Sequence, residues 1–147
     1  MSARILIVDD EPANVFLLES FLAGPATKTR GITDSREVEH TFSEFQPDLV
    51  LLDLHMPSPD GQEVLRRLRS ARESLGFLPV IVLTADSSHL ARNSALLLGA
   101  DDYLTKPLDR TEVMLKVRYL LRVRERFVDL LTAKQALERL LEGQRVP

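Results

Sequence analysis

Short runs of branched apolar residues alternate along the chain with segments whose apolar positions repeat every three or four residues. The runs predict buried strands, and the longer repeat predicts amphipathic helices. The predicted strands cover residues 4–10, 27–33, 48–54, 78–85 and 101–107. The run at 27–33 is polar, which predicts a position at the edge of a sheet. Strands and helices in alternation predict an α/β fold, a five-stranded parallel sheet with helices on both faces.

Local signals predict where the helices begin and end. Pro12 suits the first turn of a helix that stops at the Gly–Pro pair 24–25. Asp34 begins the segment DSRE, which fits a capping box, and Asp109 begins DRTE at the start of the last helix. Gly99 predicts the end of the fourth helix. The apolar helix faces are predicted to be Val38, Thr41, Phe42 and Phe45, and after Gly61 also Val64, Leu65, Leu68 and Leu75.

Each strongly apolar strand, and the last strand, ends in residues whose side chains can bind a metal or take part in a reaction. These residues are Asp9 and Asp10 after the first strand, Asp53, Thr84 and Lys106. Parallel strands bring their carboxyl ends to one edge of a sheet, where ligands bind. Three clustered carboxylates raise each other's pKa unless positive charge opposes them. Lys106 supplies one such charge, and the remaining excess predicts Mg²⁺, which prefers oxygen ligands.

The amino-acid composition excludes several kinds of functional site. The chain has no cysteine, which excludes disulfides, thiolate metal sites and a thiol nucleophile. Its three histidines are scattered, and His40 and His89 are predicted on exposed helix surface. The chain therefore offers few of the ligands that a zinc site needs. A carboxylate beside Mg²⁺, a lysine and a hydroxyl suits phosphoryl transfer. No apolar run approaches the ~20 residues of a membrane span, so we expect a soluble cytoplasmic protein without membrane contact.

Four segments, in this order and spacing, carry a family resemblance. They are VDDEP (8–12), LLDLHMPSPDG (51–61), VLTA (82–85) and YLTKP (103–107). Together they closely resemble the receiver domains of two-component response regulators, over roughly residues 3–120. The resemblance implies a flavodoxin-like (βα)₅ fold with strand order 2-1-3-4-5. It also implies a regulatory phosphoacceptor with self-phosphotransfer and autodephosphorylation only, and a sensor histidine kinase or histidine phosphotransfer protein as donor.

The resemblance also implies how the phosphoryl group and the metal are bound. Asp53 resembles the phosphoacceptor, which is also a metal ligand. Asp10 would bind Mg²⁺ directly and Asp9 largely through water, and the backbone carbonyl of His55 would complete the protein ligands. The phosphoryl oxygens would be bound by Thr84 and Lys106.

Further residues are implied to act in the switch or around the site. Tyr103 would turn inward on phosphorylation, together with Thr84. The peptide Lys106–Pro107 would be cis, and the small Ala85 would leave the approach to phosphorus open. His55 and Asp86 occupy positions that vary in the family and flank the nucleophile, so they either tune the lifetime of the phosphoryl group or are ordinary solvated loop residues.

The last helical pattern continues well past the end expected of a receiver. Residues 110–142 contain neither glycine nor proline and would span about 50 Å as a helix. Residues 110–147 carry a net charge of +4, against −7 for residues 1–109. We therefore predict a receiver domain at 1–121 and a helical extension at 122–147, a coiled-coil linker to an absent or separate output module. The heptad seam is predicted to be Leu120, Val123, Phe127, Leu130, Lys134, Leu137 and Leu141.

Alternatives remain open for the extension. A dimerising signalling helix is favoured, because a free helix with an apolar stripe needs an apolar partner. A helix folded back on its own domain is the simpler interpretation. A nucleic-acid contact through the arginines at 118, 122, 124 and 126 is the weakest, since no recognition motif accompanies them. A fused output module, such as a cyclic-di-GMP enzyme or a sensor-type domain, would need a longer chain, and otherwise the protein acts through partners.

Two rival functions are weighed against the receiver. A haloacid-dehalogenase-type aspartyl-phosphate phosphatase would need a second Asp two residues after the nucleophile, where this chain has His55. A dimerisation module without phosphotransfer would explain the extension but not the acids. Dinucleotide binding is disfavoured because the segment VDDEPAN lacks the glycines that cradle a pyrophosphate.

Overall fold

Five parallel strands form the centre of the protein in a computed structural model, which describes residues 2–75 and 77–144 (for 71–75 the backbone alone). The strands are β1 (Ala3–Val8), β2 (Thr27–Ile32), β3 (Leu49–Asp53), β4 (Val80–Thr84) and β5 (Asp102–Thr105). The sheet order is β2-β1-β3-β4-β5, as expected. The polar strand β2 lies at the edge, which confirms its predicted position.

Helices follow the strands in alternation. They are α1 (Pro12–Leu22), α2 (Val38–Phe45), α3 (Gly61–Leu75), α4 (His89–Leu97) and α5 (Arg110–Gly143). Asp109 accepts the backbone N–H of Glu112 at 2.9 Å, as the cap predicted for the last helix requires. The capping box at 34–37 was wrong in detail. The Asp34 side chain instead accepts the N–H of Arg36, two residues on, because a 3₁₀ turn precedes α2.

Two apolar layers cover the sheet. Side chains alternate along a strand, so Val50 and Leu52 face one layer while Leu49 and Leu51 face the other. The first layer contains α2, α3 and part of α4, and the second contains α1 and α5. The predicted faces of α2 and α3 lie in the first layer, except that the side chain of Leu75 falls outside the described residues. Strands β1, β3 and β4 are therefore central and buried on both faces.

Helix α5 extends well beyond the sheet. Its first part buries Val113, Val117 and Leu120 against the second layer, and every side chain from 125 to 144 is exposed. The turn between these parts contacts the base of the domain. There Arg124 Nη1 lies 3.2 Å from Asp48 Oδ1, so one of the arginines predicted to lie off the seam forms an ion pair.

The exposed part of α5 keeps the apolar stripe open to solvent. Leu130, Leu137 and Leu141 are 71%, 57% and 48% exposed. Phe127 differs because its ring lies 5.8 Å from that of Phe77, which precedes β4. Despite the length of α5, no helix in the described ranges combines the length and apolarity that a membrane crossing requires.

Candidate functional site

Three carboxylates meet at the carboxyl edge of the central strands. Asp9 and Asp10 follow β1, and Asp53 ends the neighbouring strand β3. One carboxylate oxygen of each residue lies within 4.8 Å of the other two. Asp9 is fully buried, Asp53 is 2% exposed and Asp10 is half-buried. The structure thus brings together the three acids that the strand pattern had placed at one edge.

Lys106 directs its ammonium group into this cluster. Its Nζ lies 3.2 Å from Asp9 Oδ2 and 3.5 Å from Asp53 Oδ1. Burial by itself lowers the pKa of Lys106, but the charges of Asp9 and Asp53 outweigh it and raise the pKa above its ordinary value. The backbone N–H of Lys106 also donates to the carbonyl of Thr84 at 2.8 Å, which fixes the lysine next to β4. The lysine therefore remains a cation beside two buried acids.

Burial is the main influence on the Asp53 carboxyl. It raises the pKa of Asp53 to about 6, and the neighbouring charge of Asp9 adds to the rise. The backbone N–H of His55 donates to Asp53 Oδ1 at 3.1 Å and acts in the opposite direction, as does the charge of Lys106. Burial and the charge of Asp9 together outweigh these two opposing influences, so the pKa of Asp53 is raised overall.

The raised pKa of Asp53 predicts how stability depends on pH. This carboxyl titrates near 3.8 in the unfolded chain and at about 6 in the folded chain. Between these values the folded chain binds the proton more tightly, so the free energy of unfolding falls as the pH rises, by up to about 3 kcal/mol. We expect urea unfolding of the metal-free Asp53→Asn chain to lack this fall. It should therefore be the more stable chain above about pH 7, and equal stabilities there would contradict the shift.

One buried oxygen of the cluster has the property expected of a metal ligand. Asp9 Oδ1 accepts the backbone N–H of Glu11 at 2.9 Å. Asp9 Oδ2 is buried and accepts no hydrogen bond from the residues that the structure describes, although Lys106 Nζ lies close to it. A buried carboxylate oxygen without such a bond is costly unless another positive charge approaches it. The three acids therefore fit a hard divalent cation such as Mg²⁺.

A cleft of about 640 Å³ opens next to Leu54, the residue after Asp53, and Thr84, His55 and Asp86 help to line it. Thr84 is 2% exposed at the end of β4, and its Oγ1 accepts the backbone N–H of Asp86 at 3.1 Å. Asp86 is exposed, and the backbone N–H of Ser88 holds the pKa of its carboxyl below its usual value. Between them, Ala85 adds only a methyl group at the surface.

Tyr103 lies half-buried on β5 between two cations. Arg92 of α4 places its guanidinium carbon 4.8 Å from the ring centroid, and Lys116 of α5 places Nζ at 4.5 Å. The sequence singled out the tyrosine but missed both cations. The three residues are more than ten positions apart, and an isolated Arg or Lys on a helix has no local pattern that marks it as a tyrosine contact.

Gly61 is a third residue whose role was missed. It begins α3, and its backbone N–H donates to the carbonyl of Leu54 at 3.2 Å. A Cβ at this position would overlap the carbonyl oxygen of Asp53 and Cα of Leu54. The pair Asp60–Gly61 at a helix start was the available signal, but only the packing shows how close the helix comes to the end of β3.

The remaining expectations concern single residues. His40 is exposed with Nε2 3.3 Å from Glu44 Oε2, and His89 is exposed at the start of α4, so both lie on the predicted helix surface. The Lys106–Pro107 peptide is cis, as the resemblance implied, and Ser58–Pro59 is cis as well.

Comparisons with known proteins agree with this geometry. The model of the response regulator receiver domain matches residues 5–118. The transcriptional regulatory protein TrcR of Mycobacterium tuberculosis is 40% identical over 119 residues, covering 81% of this chain and 45% of that protein. The response regulator MprA of Mycolicibacterium vanbaalenii is 41% identical over 122 residues, covering 83% and 52%. A putative response regulator from Chloroflexus aurantiacus has a crystal structure that superimposes with a TM-score of 0.75 at 28% identity, covering 83% and 99%.

The chain belongs to the response regulator receiver domain family. Its function is that of a phosphoacceptor domain in two-component signalling, and the alternatives of a phosphatase or a purely structural module are not favoured. The chain spans about half the length of the curated relatives it matches.

Proposed function

We propose that Asp53 accepts a phosphoryl group from a phosphohistidine on a sensor histidine kinase or a histidine phosphotransfer protein. A carboxylate oxygen of Asp53 attacks phosphorus, the P–N bond breaks, and its electron pair returns to the imidazole nitrogen. The observation that carries the proposal is the Asp53 carboxyl itself. It is buried within reach of Lys106, and the residues that follow it, Leu54 and His55, line an open cleft. A phosphohistidine is formed from ATP inside the cell, so we place the reaction in the cytoplasm.

Each residue around Asp53 has a separate role in binding the transferred phosphoryl group. Lys106 neutralises one phosphoryl oxygen, and Thr84 donates its hydroxyl to another once it leaves Asp86. Asp10, Asp53 and the His55 carbonyl would hold Mg²⁺ directly and Asp9 largely through water, and the charge of the ion would offset the negative charge of the phosphoryl oxygens. His55 and Asp86 line the cleft, and we propose that they tune how fast water removes the phosphoryl group. The chemistry is self-phosphotransfer and autodephosphorylation rather than turnover of a free substrate.

A simple labelling experiment tests this function. The wild-type chain is incubated with acetyl phosphate and Mg²⁺, and its intact mass is measured. We expect one phosphoryl group per chain, and none when a chelator replaces Mg²⁺. Steady hydrolysis of unrelated phosphate esters, without a labelled chain, would instead favour the phosphatase.

We further propose that phosphorylation changes how two copies pair through residues 122–144. The change begins at Thr84 and Tyr103 and reaches α5, which packs against β5. Most of the stability of a helix in a protein comes from packing of its apolar face, and the leucines of this segment are exposed in the single chain. A second copy covers them by pairing the same stripe, and a fused or separate output module would respond to that pairing.

The pairing predicts a specific effect of seam substitutions. The double variant Leu130→Glu and Leu137→Glu places charge in the stripe and should weaken association at least about 100-fold, because two buried leucines are lost. Thr132→Glu with Gln135→Glu adds the same charge off the seam and should pair like the wild type. Sedimentation equilibrium measures both, and equal association of the two variants would contradict the seam.

A further inference from the structure

Tyr103 is held by contacts from two helices that flank β5. The guanidinium of Arg92 and the ammonium of Lys116 both lie within 5 Å of its ring centroid. The ring also packs against the first apolar layer of the core. Cations are attracted to the faces of aromatic rings, more strongly where water is partly excluded. The half-buried ring therefore sits where both cations stabilise it.

The two cations differ in their other contacts. Lys116 Nζ donates to the backbone carbonyl of Tyr103 at 2.7 Å and lies 3.1 Å from Glu112 and 3.4 Å from Asp102. Those contacts do not depend on where the tyrosine ring points. Arg92 has no such set. Its Nε is buried without a hydrogen-bond partner among the described residues, and the ring of Tyr103 is the contact that its guanidinium makes there.

We propose that Arg92 and Lys116 are positioning residues that hold Tyr103 between α4 and α5 and so set the threshold of the phosphorylation switch. This rests on the proposed function, in which Tyr103 turns inward. A ring that turns inward takes the cation–π contact away from the guanidinium of Arg92, whose Nε has no hydrogen-bond partner among the described residues. The Lys116 contact to the backbone carbonyl survives the movement. Arg92 therefore contributes most of the preference for the outward position of the Tyr103 ring. Lys116 mainly fixes β5 against α5.

The size of the bias follows from the strength of one cation–π contact. Removing it should shift the ratio of the two ring positions about fivefold towards the inward position. Because phosphorylation and ring movement are linked, the same variant should need less acetyl phosphate to move half of the rings.

The test observes the ring of Tyr103 directly. The chain has two tyrosines, so Tyr119→Phe leaves one, which 3-fluorotyrosine labelling makes visible to ¹⁹F NMR. Spectra of the full chain are recorded with Mg²⁺ and increasing acetyl phosphate, and intact mass reports labelling of Asp53. Arg92→Gln is compared with Arg92→Lys, which keeps a cation. Arg118→Gln removes a charge from an exposed site on α5 and serves as the control.

We expect Arg92→Gln to move half of the rings at about one fifth of the acetyl phosphate that the parent needs, with Arg92→Lys close to the parent and Arg118→Gln unchanged. Identical titrations for all four chains would overturn the proposal. So would an equal shift in Arg118→Gln, since it would show a general charge effect. A parent chain that takes up no phosphoryl group refutes the proposed function instead, and the ring position in the absence of donor still tests the contact with Arg92.

Discussion

No phosphoryl group is expected on the Asp53→Asn chain after incubation with acetyl phosphate and Mg²⁺. The amide has nearly the shape of the carboxyl, so it keeps the packing at the end of β3, but it is not a nucleophile at phosphorus. Lys106 also keeps its contact with Asp9, 3.2 Å away. The loss should therefore be complete in an intact mass spectrum, while the chain remains folded.

The matched control for this loss is Asp60→Asn. Asp60 is exposed in the next loop, and its Oδ1 accepts the backbone N–H of Glu63 at 2.9 Å, a cap that asparagine can also provide. This variant should be labelled at the wild-type rate. A labelled Asp53→Asn chain would mean that Asp9 or Asp10 accepts the phosphoryl group, and the assignment of the nucleophile would be wrong.

The sheet and the acid cluster could be predicted because both depend on features close together in sequence. An uninterrupted apolar run such as Val50–Leu52 is typical of a strand covered by helices on both faces of a sheet, and the residue after it then lies at the edge where the strand ends. Once the strands are parallel, Asp9, Asp53 and Lys106 meet whatever the details of the loops. The chemistry of the residue types then narrows what the edge can bind.

The remaining features depend on contacts that the local sequence does not encode. Arg92 and Lys116 meet at Tyr103 only because α4 and α5 pack on either side of β5. Asp48 meets Arg124 because the last helix passes the base of the sheet. The pKa of Asp53 likewise depends on how completely the fold removes water from its carboxyl. Sequence spacing indicates which groups are near one another, but burial and packing determine how strongly they interact.

The substitution Gly61→Ala is expected to combine a large loss of stability with a loss of phosphorylation. A Cβ on Gly61 would meet the backbone of Asp53 and Leu54, including the carbonyl carbon of Leu54 at 2.9 Å. Neither side can yield easily, because the N–H of Gly61 donates to Leu54 and Leu54 donates in turn to Leu83 of β4. We expect a loss of roughly 3 kcal/mol or more in the free energy of unfolding, as for overpacking against rigid backbone.

The comparison with Gly24→Ala separates this steric effect from a general effect of replacing glycine. Gly24 lies between α1 and β2, and a Cβ there meets nothing within 4 Å. That variant should stay within about 0.5 kcal/mol of the wild type and accept a phosphoryl group normally. Gly61→Ala should be labelled far more slowly even where it is fully folded, because relief of the overlap requires movement of the backbone that carries the Asp53 carboxyl. If both variants are equally stable and equally labelled, α3 can shift away from β3 without disturbing the acids, and the close approach at Gly61 does not position the phosphoacceptor.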